Sequence, residues 1–215
     1  MDWTRHVDGY CERLEPGLWA EPANALTNLA FVLATAWAWP RAHGIGRLLA
    51  VVLALIGIGS GLFHTVARAW AGAADVAPIA AFILVYLYAA NRDFWGMRRW
   101  TALLGTLAFF PYAAATGWIF AALPFFEISA GYWPVALLIA AYGVALWRRA
   151  PQTARGLWIG AGILAASLTA RSLDMPLCDA IPLGTHWLWH LLNAVMLAWM
   201  IELHARHVAR GPERA

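Results

Sequence analysis

The chain has 215 residues, of which 62% are apolar and only 13% are charged, and its mean hydropathy is +0.60. Soluble domains carry charge on about a quarter of their residues, and disordered chains are poor in apolar residues, so both classes are excluded. The net charge of +3 rests on 15 arginines that form no basic face, so the sequence does not support nucleic-acid binding. We expect an integral membrane protein.

Seven stretches are apolar enough to cross a bilayer, for which about 20 residues are needed. We therefore predict an all-α, seven-transmembrane helix bundle with spans at 22–40, 46–66, 74–91, 100–122, 128–147, 155–173 and 183–203. The break near 118–130 is the weakest, and a six-span arrangement would merge the chain there. Residues 1–20 contain no apolar segment, so we expect no signal peptide and a first span that itself directs insertion.

The arginines are divided unequally between the two ends of the predicted spans, with eleven on one side and four on the other. Cytoplasmic loops are enriched in basic residues. We therefore expect an extracytoplasmic N-terminal segment at 1–21, a membrane domain at 22–203 and a cytoplasmic tail at 204–215. The chain has no lysine, a composition typical of GC-rich bacterial genomes, so we expect the outer side to be periplasmic.

Both cysteines are expected on the outer side. Cys11 lies in the N-terminal segment, and Cys178 lies in the loop before the last predicted span. The compartment outside the cell membrane permits disulfides. The two residues therefore either form one bridge or remain unrelated buried thiols, and topology alone does not decide between these alternatives.

Three histidines lie in the predicted spans or at their ends, where ionisable side chains are costly and indicate function. His186 and His190 are four residues apart at the start of the last span, so they share a helix face and can chelate one metal ion. His64 ends the second span at the same predicted depth. A catalytic zinc site needs three protein ligands, which these imidazoles would supply. The alternative is three separate, hydrogen-bonded core histidines.

Two further polar residues are expected at the same level. Ser60 precedes His64 by four residues and shares its helix face, whereas Asp75 follows His64 by eleven residues across a turn containing Gly72. Ser60 could donate a hydrogen bond to a developing oxyanion, and Asp75 could orient a ligand or accept a proton. Alternatively, Asp75 caps a helix and Ser60 bonds to its own helix backbone.

Three blocks of this sequence resemble the alkaline ceramidase family and its wider seven-transmembrane hydrolase superfamily, which includes the adiponectin and progestin receptor-like proteins. The blocks are DGYCERLEPGLWAEPANALTNLAF at 8–31, GSGLFHTVARAWAGAADVAPI at 59–79, and DMPLC followed by THWLWH within 174–190. The most specific feature is a combination of GSxxFH, an Asp eleven residues after its His, and a late HxxWH element.

The resemblance implies a zinc ion with three histidine ligands and a water as the fourth. The ligands would be His64, His186 and His190. Ser60 would stabilise the oxyanion when water attacks an amide carbonyl, and Asp75 would carry the proton to the leaving amine. The implied activity is cleavage of the N-acyl bond of a ceramide-like membrane lipid, which yields a fatty acid and a sphingoid base. A disulfide between Cys11 and Cys178 is also implied.

The acidic N-terminal segment resembles a calcium-binding segment of the eukaryotic family members. The residues that match ligands are Asp8, Tyr10 through its carbonyl, Glu12 and Glu21. Carboxylate and carbonyl oxygens suit Ca²⁺. The match is partial, because Gly9 separates Asp8 from Tyr10 and Leu14 stands where the family has Asn. A solvated acidic segment accounts equally well for these residues.

Three other functions are alternatives to the hydrolase. A receptor-like protein could bind lipid without turnover and keep a structural zinc. A haem protein could use transmembrane histidines as iron ligands, although HxxxH places two histidines on one side of a ring rather than on opposite faces. A transporter would show inverted repeats with paired broken helices, and the sequence shows no convincing repeat.

Overall fold

The structure, a computed structural model, describes residues 2–211, and nine α-helical segments dominate this range. In chain order they are α1 (Pro22–Thr27), α2 (Leu29–Ala38), α3 (Ile45–Val66), α4 (Ala69–Ala89), α5 (Arg99–Leu107), α6 (Phe109–Ala121), α7 (Trp133–Leu146), α8 (Pro151–Leu173) and α9 (His186–Arg210). Only Asn28 separates α1 from α2, and only Ala108 separates α5 from α6, so the chain forms seven rods. The all-α class is confirmed.

Five of these rods are long and apolar enough to cross a membrane. They are Ile45–Val66, Ala69–Phe94, Arg99–Ala121, Pro151–Leu173 and His186–Arg210. In position they match the second, third, fourth, sixth and seventh predicted spans. The helix α7 is apolar but has only 14 residues, and the first rod is interrupted at Asn28. The count of seven spans and the side that each terminus faces stay predictions.

The helix α4, which corresponds to the third predicted span at 74–91, begins earlier and ends later than predicted. The chain reverses at Ala67, which has a left-handed φ of 48°, and α4 then starts at Ala69. Gly72 therefore lies inside the helix and not in a turn. At its other end α4 continues as a π-helical turn to Phe94. The turn that was predicted at Gly72 lies instead at Ala67 and Arg68, between the two helices.

The last helix is also longer than predicted, and it buries two histidines that were expected in the tail. The helix α9 continues to Arg210, past the predicted end of the last span. His204 Nε2 lies 2.7 Å from an Asp93 carboxylate oxygen, and His207 Nδ1 lies 2.8 Å from the Thr153 hydroxyl. These bonds join α9 to the neighbouring rods at the end of the bundle opposite its first residues.

The helix α9 is central to the bundle, because it packs against α1, α2, α3 and α8. The largest fully buried side chains of the core come mainly from α3 and α9, and they include Leu49, Leu53, Ile56, Met200 and Ile201. A helix that is apolar on most faces is stable only when other helices or lipid surround it. The helix α9 is therefore enclosed by four neighbouring helices.

The N-terminal segment is fastened across one end of the bundle. A single β-bridge pairs His6 with Arg68, and the Val7 N–H donates to the Ala67 carbonyl at 2.8 Å. A disulfide links Cys11 to Cys178, 167 residues away in sequence, so the implied bridge is confirmed. These attachments place the segment over the ends of α3 and α9.

Candidate metal centre

Three histidines meet at the end of the bundle where α9 begins. His64 lies near the end of α3, and His186 and His190 lie in the first two turns of α9. One ligand atom from each ring lies within 4.8 Å of the other two, and all three residues are buried. Their predicted convergence is confirmed. Between residues 2 and 211, no other group of three His, Cys or carboxylate side chains has comparable spacing.

Hydrogen bonds indicate which nitrogen carries the proton on two of these rings. His64 Nδ1 lies 2.5 Å from Glu21 Oε2, and because a carboxylate only accepts, Nδ1 is the donor. His190 Nδ1 lies 2.9 Å from the Thr27 hydroxyl, which donates its own proton to the Ala23 carbonyl at 2.7 Å. The hydroxyl therefore accepts from His190. In their neutral forms, the rings of His64 and His190 would each present an unprotonated Nε2.

The geometry of these nitrogens fits a zinc ion. The Nε2 atoms of His64 and His190 are 3.1 Å apart, and two lone pairs this close repel each other unless a proton or a metal ion lies between them. Two tetrahedral zinc ligands at about 2.05 Å would be separated by ~3.3 Å. His186 Nδ1 is buried and has no hydrogen-bond partner among the described residues. A porphyrin could not lie between nitrogens 3.1 Å apart, so the haem alternative is not favoured.

Glu21 orients His64. Its side chain is buried and accepts hydrogen bonds from His64, Arg13 and the Asn24 amide. Burial raises the pKa of the Glu21 carboxyl, but the bonds from His64 and Arg13 outweigh that effect and hold the pKa below its usual range. A carboxylate behind a ligating histidine fixes the tautomer and raises the basicity of the ring. Glu21 occupies that position.

Ser60 and Asp75 lie together at the closest contact between α3 and α4. A Cβ on Gly59 would lie 2.2 Å from the Ala74 carbonyl oxygen, so this contact requires glycine. Asp75 lies close enough to the Ser60 hydroxyl and to His64 for each to influence its carboxyl group. Ser60 Oγ and Asp75 Oδ1 are buried, and in the described part of the chain neither has a hydrogen-bond partner within 3.5 Å. Such atoms normally bind water or a ligand.

The alternative structural roles of these two residues are not observed. The helix α4 begins at Ala69 and has no side-chain cap, so Asp75 lies in its second turn and does not cap it. Ser60 Oγ makes no hydrogen bond to its own helix backbone. Both side chains are therefore available to a bound molecule beside the histidines.

The acidic residues predicted to bind calcium are engaged elsewhere or exposed. Glu12 uses both carboxylate oxygens to accept the backbone N–H groups of Ala23, at 2.6 Å, and Asn24, at 2.8 Å. It thereby caps the N-terminus of α1. Glu21 is bound by His64 and its other partners, and Asp8 is exposed. Calcium binding stays a prediction that the sequence resemblance alone supports.

Tyr10, whose carbonyl is the remaining predicted calcium ligand, covers the histidines with its ring. Its centroid is 3.9 Å from that of His186 and 5.0 Å from that of His64. The neighbouring Cys11 is fixed by the disulfide, which holds the ring in place. Burial raises the pKa of the Tyr10 hydroxyl well above its usual value. The hydroxyl therefore stays protonated over the whole physiological pH range.

Asp174 positions the start of α9, a role that the sequence patterns did not predict. Its Oδ1 accepts the backbone N–H groups of Thr185, at 2.7 Å, and His186, at 2.8 Å. Its Oδ2 accepts the Cys11 N–H at 3.0 Å. Gly184 has a φ of 67°, and a Cβ there would lie 2.2 Å from Asp174 Oδ1. Asp174 lies eleven residues before Thr185 in sequence, so no local capping motif predicts that its carboxylate caps α9.

An apolar cavity extends away from the metal centre between α3, α4, α7, α8 and α9. It contains about 890 Å³ of space free of protein atoms and is partly open to the surroundings. Its wall includes Ile56 and Ile79, which lie one helical turn from Ser60 and Asp75. Along α4 the wall continues to Ala90, a length of ~16 Å at 1.5 Å per residue. The apolar lining thus follows α4 for about three helical turns.

A second pocket lies against the N-terminal segment, beside Tyr10 and Phe63, whose rings contact His64. It contains about 510 Å³ of space free of protein atoms, and Tyr10, Phe63 and Arg171 form part of its wall. Arg171 donates to the Ser129 hydroxyl at 3.0 Å and lies over the Tyr132 ring. The lining of this pocket includes the charged side chains of Arg171 and Asp174, whereas the lining of the apolar cavity includes none.

Comparisons with known proteins add no family to this description. No protein-family model matches the chain, and no curated protein is similar to it at a significant level. The resemblance of its three sequence blocks to alkaline ceramidases therefore stays a prediction. The function has to be inferred from the residues and geometry of the site itself.

Proposed function

We propose that this chain is a membrane-embedded, zinc-dependent amidohydrolase that cleaves the N-acyl bond of a ceramide-like lipid to a fatty acid and a sphingoid base. The observation that carries the proposal is the meeting of three buried imidazoles from two helices. Two of them turn Nε2 toward each other, and Ser60 and Asp75 lie beside them with buried oxygens that have no hydrogen-bond partner within 3.5 Å in the described part of the chain. A purely structural metal site would not need such oxygens.

The three imidazoles would hold the metal, and the neighbouring side chains would manage protons. A bound zinc ion would act as a Lewis acid and make water nucleophilic near neutral pH. Asp75 Oδ1 would accept a proton from the attacking water and return it to the nitrogen of the leaving amine. The Ser60 hydroxyl would donate a hydrogen bond to the carbonyl oxygen as negative charge develops there. Glu21 would keep His64 in the ligating tautomer.

The apolar cavity and the second pocket suit the two parts of a lipid amide. The acyl chain would occupy the apolar cavity, where it exchanges bilayer hydrocarbon for the side chains of α4, α7 and α9. The amine-bearing headgroup would lie in the pocket lined by Tyr10 and Arg171. This arrangement would bring the amide bond to the level of His190, Ser60 and Asp75.

The proposal is tested by measuring fatty-acid release from a panel of lipids. The purified protein, loaded with zinc in detergent, is incubated with an N-acyl sphingoid base, an N-acyl amino acid and an acylglycerol ester. We expect the N-acyl sphingoid base to be cleaved and the His64→Ala variant to be inactive. If the zinc-loaded protein retains its metal and releases no fatty acid from any member, the receptor-like alternative is the correct one.

A further inference from the structure

Arg13 is a buried cation inside an acidic segment. Its residue is only 4% exposed, and it follows Glu12 directly in sequence. The guanidinium donates through Nε to Glu21 Oε1, through Nη1 to the Gly17 carbonyl at 3.1 Å, and through Nη2 to the His64 carbonyl at 3.2 Å. A buried charge is tolerated only with such partners. The guanidinium is therefore an integral structural element at this end of the bundle.

The partners of Arg13 are the oxygen types that a calcium ion would use. One carboxylate and two backbone carbonyls surround the guanidinium, and hard divalent cations bind those groups. The other predicted ligands do not form a separate site, because both oxygens of Glu12 cap α1 and the Tyr10 carbonyl accepts a backbone N–H at 3.2 Å, which leaves Asp8 alone. The residues present therefore do not fit a calcium ion, because a side chain already supplies the positive charge.

Arg13 also acts on both the backbone and the side chain of His64. The His64 carbonyl is among the last four of α3, which have no partner within the helix, and Arg13 caps it. Through Glu21, Arg13 fixes the carboxylate that accepts the His64 Nδ1 proton. The ring is thus oriented from two directions, as the histidine ligands of metal sites commonly are.

We propose that the Arg13 guanidinium is an internal cation that, in place of calcium, joins the N-terminal segment to the zinc ligand His64. Arg13 is then a positioning residue, which acts on the metal through Glu21 and touches neither metal nor substrate. The part that concerns zinc rests on the proposed function, whereas the part that concerns calcium does not.

The first test needs no variant. The thermal unfolding midpoint of the wild-type protein is measured in detergent with millimolar calcium and with a calcium chelator that leaves zinc bound. We expect the same midpoint in both conditions, because the buried oxygens around Arg13 already accept its hydrogen bonds. A midpoint that rises with calcium would overturn the proposal. Neither result depends on lipid hydrolysis, so this test stays valid for a protein without enzymatic activity.

The second test compares Arg13→Gln with Arg13→Lys and with the control Arg68→Gln. Arg68 is exposed and also donates to a backbone carbonyl, that of Thr4 at 2.7 Å. We expect Arg13→Gln to lower zinc affinity about 10- to 100-fold, as loss of groups behind a ligand does, and Arg13→Lys to recover part of that loss. We expect Arg68→Gln to bind zinc as the wild type does.

A spectroscopic measurement separates positioning from a general loss of stability. The visible absorption of the cobalt-substituted protein reports the ligand geometry and is recorded below the unfolding temperature. We expect the bands to change in Arg13→Gln and not in Arg68→Gln. Wild-type zinc affinity together with an unchanged cobalt spectrum in Arg13→Gln would overturn the positioning role.

Discussion

Individual protons decide what the metal centre can do. The Thr27 hydroxyl accepts the His190 Nδ1 proton only because its own proton is directed to the Ala23 carbonyl, and Glu21 accepts the corresponding proton of His64. Each Nε2 is left free to bind a cation. Thr27 and Glu21 would therefore set the affinity of the proposed metal site by holding these protons.

Replacing Thr27 with valine should lower the affinity of the site for zinc without altering the shape of the helix. Valine keeps the branched side chain but leaves His190 Nδ1 without its acceptor, so we expect zinc affinity to fall about 10-fold or more. The measurement is competition with a chromogenic zinc chelator. Thr35→Val is the matched control, because Thr35 bonds only to backbone carbonyls, those of Phe31 and Ala50. Equal affinities of the two variants would contradict the proton assignment.

Replacing Asp75 with asparagine should separate catalysis from metal binding. The amide is nearly isosteric but cannot take up a proton, and general acid–base groups contribute about 10²- to 10⁴-fold to rates. We expect full zinc content and a loss of hydrolysis within that range. Elemental analysis and a fatty-acid release assay on the same preparation check both. Normal turnover in this variant would remove Asp75 from the mechanism.

At the scale of helices, the contact between α3 and α4 brings Ser60 to Asp75. Gly59 allows this contact, since any Cβ there would collide with the Ala74 carbonyl. A collision with backbone cannot be relieved by a rotamer change, so the two helices would have to move apart. Precise placement of the two catalytic candidates thus depends on a residue with no side chain.

Gly59→Ala should therefore impair both stability and activity, whereas Gly61→Ala should be nearly neutral. A Cβ on Gly61 would lie 3.8 Å from the nearest atom, Asn28 Cβ, which is ordinary contact. We expect Gly59→Ala to cost about 1–3 kcal/mol, as overpacking does, and to slow hydrolysis. Thermal unfolding and the release assay on both variants provide the comparison. Wild-type behaviour of Gly59→Ala would show that the helices are not in close contact.

The sequence could predict the helices because the apolar segments are long and the breaks between them are rich in Pro, Gly and charge. It could also predict the three histidines, since HxxxH spacing and alternating spans bring them to one end of the bundle. It could not predict Asp174 or Arg13, whose partners lie on distant segments. The predicted position of His204 and His207 in a cytoplasmic tail was wrong. Polar residues near the end of an apolar segment indicate the end of a span, but here the helix continues and buries both side chains.

On the scale of the whole molecule, a disulfide and a β-bridge fasten the N-terminal segment to the bundle. The disulfide joins residues 167 apart in sequence, so it connects the first residues of the chain to the loop before α9. The segment carries Tyr10, Arg13 and Glu21, all of which bear on the histidines. Oxidation of Cys11 and Cys178 should therefore influence the metal centre.

Cys11→Ser should remove an intramolecular disulfide and weaken this attachment. Loss of a native disulfide typically costs about 2–5 kcal/mol, so we expect a lower unfolding midpoint and faster loss of zinc to a chelator. Migration on non-reducing gels, with and without reductant, shows whether the bridge is present. A wild-type protein whose mobility is unaffected by reductant would contradict the link to Cys178.

The zinc content of the purified protein tests the central claim most directly. Elemental analysis should find one zinc ion per wild-type chain and close to none in His64→Ala or His190→Ala. The control His43→Ala replaces an exposed histidine and should retain the full metal content. The account is contradicted if the wild-type protein cannot be loaded with zinc, or if His64→Ala and His190→Ala bind as much as the control.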